Sequence, residues 1–160
     1  MHFKISKSAQ NYFSNIINMQ GYHGTEDKNK FSQFDVYYTC ALIGMVARQI
    51  DTDTSDLKDL VERYPKNYVE ARAHIAGLLI STEAKRMNLT VTSERLEETM
   101  IKYLSDDPTL LSEEGVRLLD AYSLKGFKLL QEYPLIDKPT SREEYLQAFY
   151  TAVNYYEKKD

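Results

Sequence analysis

Oxygen-bearing side chains recur between residues 51 and 62 at the spacing of a calcium-binding loop. With Asp51 as position 1, oxygen ligands fall at positions 3, 5, 9 and 12, which are Asp53, Ser55, Asp59 and Glu62. Two positions depart from the pattern, because Asp56 stands where the loop turn needs glycine and Lys58 where an apolar residue is usual. The same segment also fits a capped helix with acids in its first turn, ending at Pro65. We favour the helix and predict no metal site.

The remaining residues capable of catalysis do not form a recognisable motif. No two of the three histidines have the i,i+4 spacing of a helical metal pair, and His74 has only Arg72 and nearby acids as candidates for a hydrolase site. The single cysteine, Cys40, excludes an internal disulfide and lies in an apolar stretch, where burial would raise its pKa. The sequence therefore favours a non-enzymatic function and predicts neither catalytic residues nor a cofactor.

Tyrosine is unusually frequent, with thirteen residues and no tryptophan. Several continue apolar helical stripes, but Tyr37, Tyr150 and Tyr155 depart from them or belong to doublets. Tyrosine suits protein interfaces, because it offers a large contact area and a polar tip. We predict these three residues as interface candidates; the alternative is that they line the hydrated rim of the core.

Length and charge limit the class of protein. A chain of 160 residues with 42% apolar residues is expected to form one domain, and none of its apolar runs is long enough to cross a membrane. The opening residues do not resemble a secretory signal, so we expect a cytoplasmic protein. The net charge is −4 overall but +2 over residues 1–50. Contact with DNA is therefore expected only at the N-terminal end.

The apolar spacing predicts an all-α fold. We expect a single-domain bundle of six or seven helices over residues 1–160, with one short N-terminal β-strand where Phe3 and Ile5 alternate with His2, Lys4 and Ser6. Residues 36–47 lack charge and predict a buried central helix, while Ser141 and Glu144 predict a capping box. Glycines within helical patterns, among them Gly44 and Gly126, suggest close helix contacts; the alternative is that they are merely tolerated.

Residues 3–48 resemble the opening of ribbon-helix-helix proteins. They also resemble the small helical DNA-binding subunit of bacterial DNA phosphorothioation systems. The resemblance rests on Phe3-Lys4-Ile5-Ser6-Lys7-Ser8-Ala9, a helix, and a second helix of small residues ending at Arg48. It implies that strands from two protomers pair and that outward strand side chains, here His2, Lys4 and Ser6, read DNA. We take His2, Lys4 and Lys7 as the DNA-binding candidates. A loop of about a dozen residues replaces the family's tight turn between helices.

These observations lead to three functional hypotheses. The first is a non-enzymatic helical subunit or adaptor of a bacterial or phage multiprotein assembly, which acts through a protein partner or as a homo-oligomer. The second is a dimeric DNA-binding module that uses the N-terminal strand and helix. The third is a small helical hydrolase with a site around His74 and Arg72.

Overall fold

The computed structural model describes residues 1–19, 28–90 and 92–159. Within them the chain is mostly helical, with six α-helices and a short two-stranded antiparallel sheet. In chain order the elements are β1 (Phe3–Ser6), α1 (Lys7–Tyr12), α2 (Gln33–Ala47), β2 (Leu57–Val61), a 3-10 helix (Lys66–Ala71), α3 (Arg72–Arg86), α4 (Glu94–Tyr103), α5 (Glu113–Glu132) and α6 (Arg142–Lys158). The predicted helical fold class is confirmed. None of the helices among these residues has both the length and the apolar character needed to cross a membrane.

Serine side chains begin most of the helices. Ser32, Ser93, Ser112 and Ser141 each accept a hydrogen bond from the backbone N–H three residues later. Ser32 and Asp35 form a complete capping box. The box predicted at Ser141 is only half formed, because the Glu144 carboxylate accepts from the N–H and hydroxyl of Thr140 instead.

Helix α2 packs against α5 at the centre of the core. No residue from Val36 to Ala47 is exposed, as the uncharged sequence predicted. Two glycines allow the close crossing: a Cβ on Gly44 would lie 2.1 Å from the Tyr122 carbonyl oxygen, and one on Gly126 would lie 1.7 Å from that of Cys40. Cys40 itself is buried, which raises the pKa of its thiol to about 12.

Residues 57–61 form a strand, so the short helix predicted from Leu57 towards Pro65 is wrong. The strand pairs antiparallel with β1, with Phe3 opposite Val61 and Ser6 opposite Leu57. Short apolar runs fit either a helix or a strand, and here pairing with a distant segment decides the outcome. The apolar spacing from Ala9 to Ile17 predicts a helix from about Ser8 to Met19, but helix α1 ends at Tyr12 and turns cover residues 13–16.

Candidate functional site

A carboxyl group lies where β1, α2 and α5 meet. Asp120 of α5 is 4% exposed. Its Oδ1 accepts hydrogen bonds from the Tyr37 hydroxyl of α2 at 2.6 Å and from the Lys4 backbone N–H of β1 at 3.0 Å. Burial raises the pKa of Asp120 to about 7, although both hydrogen bonds favour the ionised form. The carboxyl group therefore changes its charge near neutral pH.

Asp120 lines a groove with a volume of about 500 Å³. One wall comes from the first half of α5, the second from His2, Lys4 and β2, and the third from residues 51–54. The Asp51 backbone N–H donates to the Ala121 carbonyl at 3.1 Å, which fastens this third wall to α5. The volume lies within the range of small-molecule sites in proteins, about 300–1,000 Å³.

Ion pairs occupy part of the groove rim. Lys128 Nζ lies 2.5 Å from Asp51 Oδ2, and this bond lowers the pKa of Asp51. Arg117 Nη2 lies 2.5 Å from Glu113 Oε1. These contacts neutralise two of the acids and leave Asp120 as the buried acid of the groove.

The predicted DNA-binding residues lie among acids. His2 Nδ1 is 3.8 Å from Asp59 Oδ2, and Lys4 lies opposite Asp59 in the strand register. Next to Lys7, the carboxylate of Asp56 accepts hydrogen bonds from Ser8 and Ser6, which lower its pKa to about 2. These carboxylates oppose the approach of a phosphate backbone.

Strand β1 is also engaged on both sides. It pairs with β2 of the same chain along one edge, and the Lys4 N–H bonds to Asp120 rather than to β2. The pairing between protomers that the ribbon-helix-helix resemblance implies would require these contacts to break.

The three interface candidates occupy different environments. Tyr150 is 64% exposed and Tyr155 is 39% exposed, both on α6. The ring of Tyr155 stacks on that of Tyr133 with centroids 4.4 Å apart, and Lys159 Nζ lies 5.2 Å from its centre. Tyr37 is only 1% exposed and its hydroxyl is bonded to Asp120. Its assignment to an interface is therefore wrong, because the side chain packs between α2 and α5.

The other chemical candidates remain dispersed. His74 and Arg72 are both exposed on α3, and neither lines the groove. The segment that matches the calcium-loop spacing does not form such a loop, because residues 57–61 are a strand. Within it, the Asp53 carboxylate accepts a hydrogen bond from the Ser55 N–H. Within residues 1–19, 28–90 and 92–159, no three His, Cys, Asp or Glu side chains form a group that could hold a metal ion.

Sequence reasoning missed Asp120, although a local indication exists. Asp120 lies in register with Val116 and Phe127 on the apolar stripe of α5, where an acid is out of place. The partners that make it a site come from β1 and α2, more than 80 residues away along the chain.

Fold and groove together define a mostly helical protein whose small sheet borders a groove with a buried acid. Comparison of the chain with protein-family models, with curated proteins and with solved structures gave no match.

Proposed function

We propose that this protein is a cytoplasmic, non-enzymatic helical subunit or adaptor of a bacterial or phage multiprotein assembly. It acts through protein–protein contacts made by α6. The observation that carries the proposal is the exposure of Tyr150 and Tyr155 on this helix, beside the exposed ring of Tyr133. We call Tyr133, Tyr150 and Tyr155 the tyrosine surface.

The tyrosine surface has the physical properties of an interaction site. Tyrosine is enriched among the residues that dominate protein-binding energies. The Tyr133 and Tyr155 rings already support each other, so binding would cost little side-chain entropy. Tyr150 and Tyr155 lie five positions apart, which separates them by about 140° around the helix. A partner that contacts both would cover much of the outer side of α6.

Affinity purification with quantitative mass spectrometry tests the proposal. The chain would be tagged and expressed in its native cell as wild type, as a Tyr150→Ser/Tyr155→Ser variant and as Ile101→Ser. Ile101 is 73% exposed on α4 and provides a matched control for loss of exposed apolar surface. We expect at least one protein whose recovery falls about tenfold in the tyrosine variant and is unchanged in Ile101→Ser. Circular dichroism would establish that both variants fold.

Two results would count against the proposal. One is a strictly monomeric protein by light scattering, together with no protein whose recovery depends on the tyrosines. The other is retardation of duplex DNA at low salt that Lys4→Ala and Lys7→Ala weaken and Lys158→Ala does not, which would favour the DNA-binding alternative.

A further inference from the structure

The carboxyl group of Asp120 has one oxygen available to a ligand. Both protein donors bond to Oδ1, and no described residue donates to Oδ2. In the described part of the chain, the buried side-chain atoms without a partner are Tyr64 Oη and Arg142 Nε. Because Oδ2 is not among them, it reaches solvent rather than being sealed in the core. Asp120 therefore combines a buried position, fixed by two bonds, with an oxygen free to bind.

Charge in the groove favours a positively charged ligand. Four carboxyl groups line it, those of Asp51, Asp59, Glu113 and Asp120, and two of them are already paired, Glu113 with the lining Arg117 and Asp51 with Lys128. Asp59 and Asp120 therefore remain against the lining cation Lys4, an excess of one negative charge when both carboxyl groups are ionised. An excess of carboxylates in a concave site concentrates cations there.

The walls of the groove add apolar surface to the carboxyl groups. Leu57 of β2 and Val116 and Ala121 of α5 contribute side chains without polar groups, and Thr52 and Thr54 also line the groove. Such a mixture of apolar walls and a few polar groups is typical of small-molecule sites.

We propose that this groove binds a small organic cation, an ammonium or guanidinium group on a short apolar body, with the cation hydrogen-bonded to Asp120 Oδ2. The apolar body would lie along Leu57 and Val116. The same chemistry could be supplied by a free amine or by a lysine side chain of a peptide, and the experiment separates these two sources.

Titration of the ¹⁵N-labelled full chain at about pH 8, where Asp120 is mostly ionised and benzylamine is still a cation, tests the proposal by NMR with benzylamine, benzyl alcohol and benzoate as probes. We expect saturable shifts at groove residues for benzylamine, with binding of the alcohol and the acid weaker by tenfold or more. Asp120→Asn keeps an oxygen for Tyr37 and Lys4 but removes the charge, and it should weaken benzylamine binding about tenfold. Asp106→Asn, an exposed acid outside the groove, is the matched control.

Two further variants keep the test decisive if Asp120→Asn does not fold. Lys4→Gln removes an opposing charge and should strengthen benzylamine binding several-fold. Thr52→Lys adds a cation at the exposed rim and should weaken it. A capped lysine dipeptide, titrated in parallel, identifies the source: tighter binding of the dipeptide points to a peptide side chain, and tighter binding of benzylamine points to a free amine.

The proposal is overturned if benzylamine gives no saturable shifts up to about 10 mM. Equal affinities for benzylamine and benzyl alcohol would overturn it too. The proposal is also overturned if neither Asp120→Asn nor Thr52→Lys changes the affinity for benzylamine. None of these results would affect the tyrosine surface, whose three residues lie on α6 and at the C-terminal end of α5 and do not line the groove.

Discussion

The Tyr37 hydroxyl donates to Asp120 Oδ1 at 2.6 Å and joins α2 to α5 next to β1. This contact ties an acid on an apolar helix stripe to a tyrosine that the sequence alone placed at an interface. The bond affects both the stability of the fold and its dependence on pH.

Asp120 should make the protein less stable as the pH rises from about 4 to about 7. Burial raises its pKa to about 7 in the folded state, whereas the carboxyl group of an unfolded chain titrates near 3.9. Between these values the unfolded chain releases a proton that the folded protein keeps, so the free energy of unfolding falls by up to roughly 1.4 kcal/mol per pH unit. Above about pH 7 this contribution levels off. Urea unfolding at pH 5, 6, 7 and 8 measures it. If the free energy of unfolding of Asp120→Asn depended on pH as steeply as that of the wild type, Asp120 would not be the group responsible.

Removing the hydroxyl from Tyr64 should have the opposite effect from removing that of Tyr37. The Tyr64 hydroxyl is buried without a partner, so Tyr64→Phe should be neutral or stabilise the protein by up to about 1 kcal/mol. Tyr37→Phe deletes a bond to an ionisable acid and should destabilise it by about 1.5–3 kcal/mol above pH 7. Urea denaturation of the two variants provides the comparison, and equal effects would be inconsistent with these contacts.

Two glycine-to-alanine substitutions should change the stability of the protein in opposite directions. A methyl group on Gly126 would overlap the backbone of Cys40, so Gly126→Ala should destabilise the fold by about 2 kcal/mol or more. No atom lies within 4 Å of the corresponding position at Gly77, which is exposed on α3. Gly77→Ala should therefore stabilise the protein by up to about 1 kcal/mol through helix propensity. Thermal unfolding distinguishes the two, and a tolerated alanine at 126 would argue against the tight crossing.

Two arginines that pair with glutamates on their own helices should contribute unequally to stability. Arg86 binds Glu83 through two nitrogens at 2.6 and 2.9 Å, and Glu83 is 2% exposed and also accepts from Tyr122. Burial opposes ionisation of Glu83, but Arg86 and Tyr122 outweigh it and lower its pKa.

Arg86→Leu would leave this carboxylate buried with one donor and should cost about 3 kcal/mol. Arg117→Leu breaks an exposed pair and should cost no more than about 0.5 kcal/mol. Chemical denaturation in low and high salt measures both. A loss at Arg86 as small as that at Arg117 would show that the buried pair is not stabilising.

Local signals in the sequence were enough for most of the helices. A helix begins where a side chain satisfies its free N–H groups, and Ser32, Ser112 and Ser141 do this within three residues. The uncharged residues of α2 indicated a buried helix whatever its neighbours, and Gly44 indicated that another helix packs closely against it. These properties depend on adjacent residues, so the sequence by itself determined them.

Contacts between distant segments decided the rest. Leu57–Val61 became a strand because β1 lies beside it, and Tyr37 became a core residue because Asp120 of α5 faces it. The groove exists only where residues 51–54, the sheet and α5 meet. Apolar spacing records that a residue is buried but not against which partner. The helical class was therefore evident from the sequence, whereas the buried acid and its groove were decided by the tertiary structure.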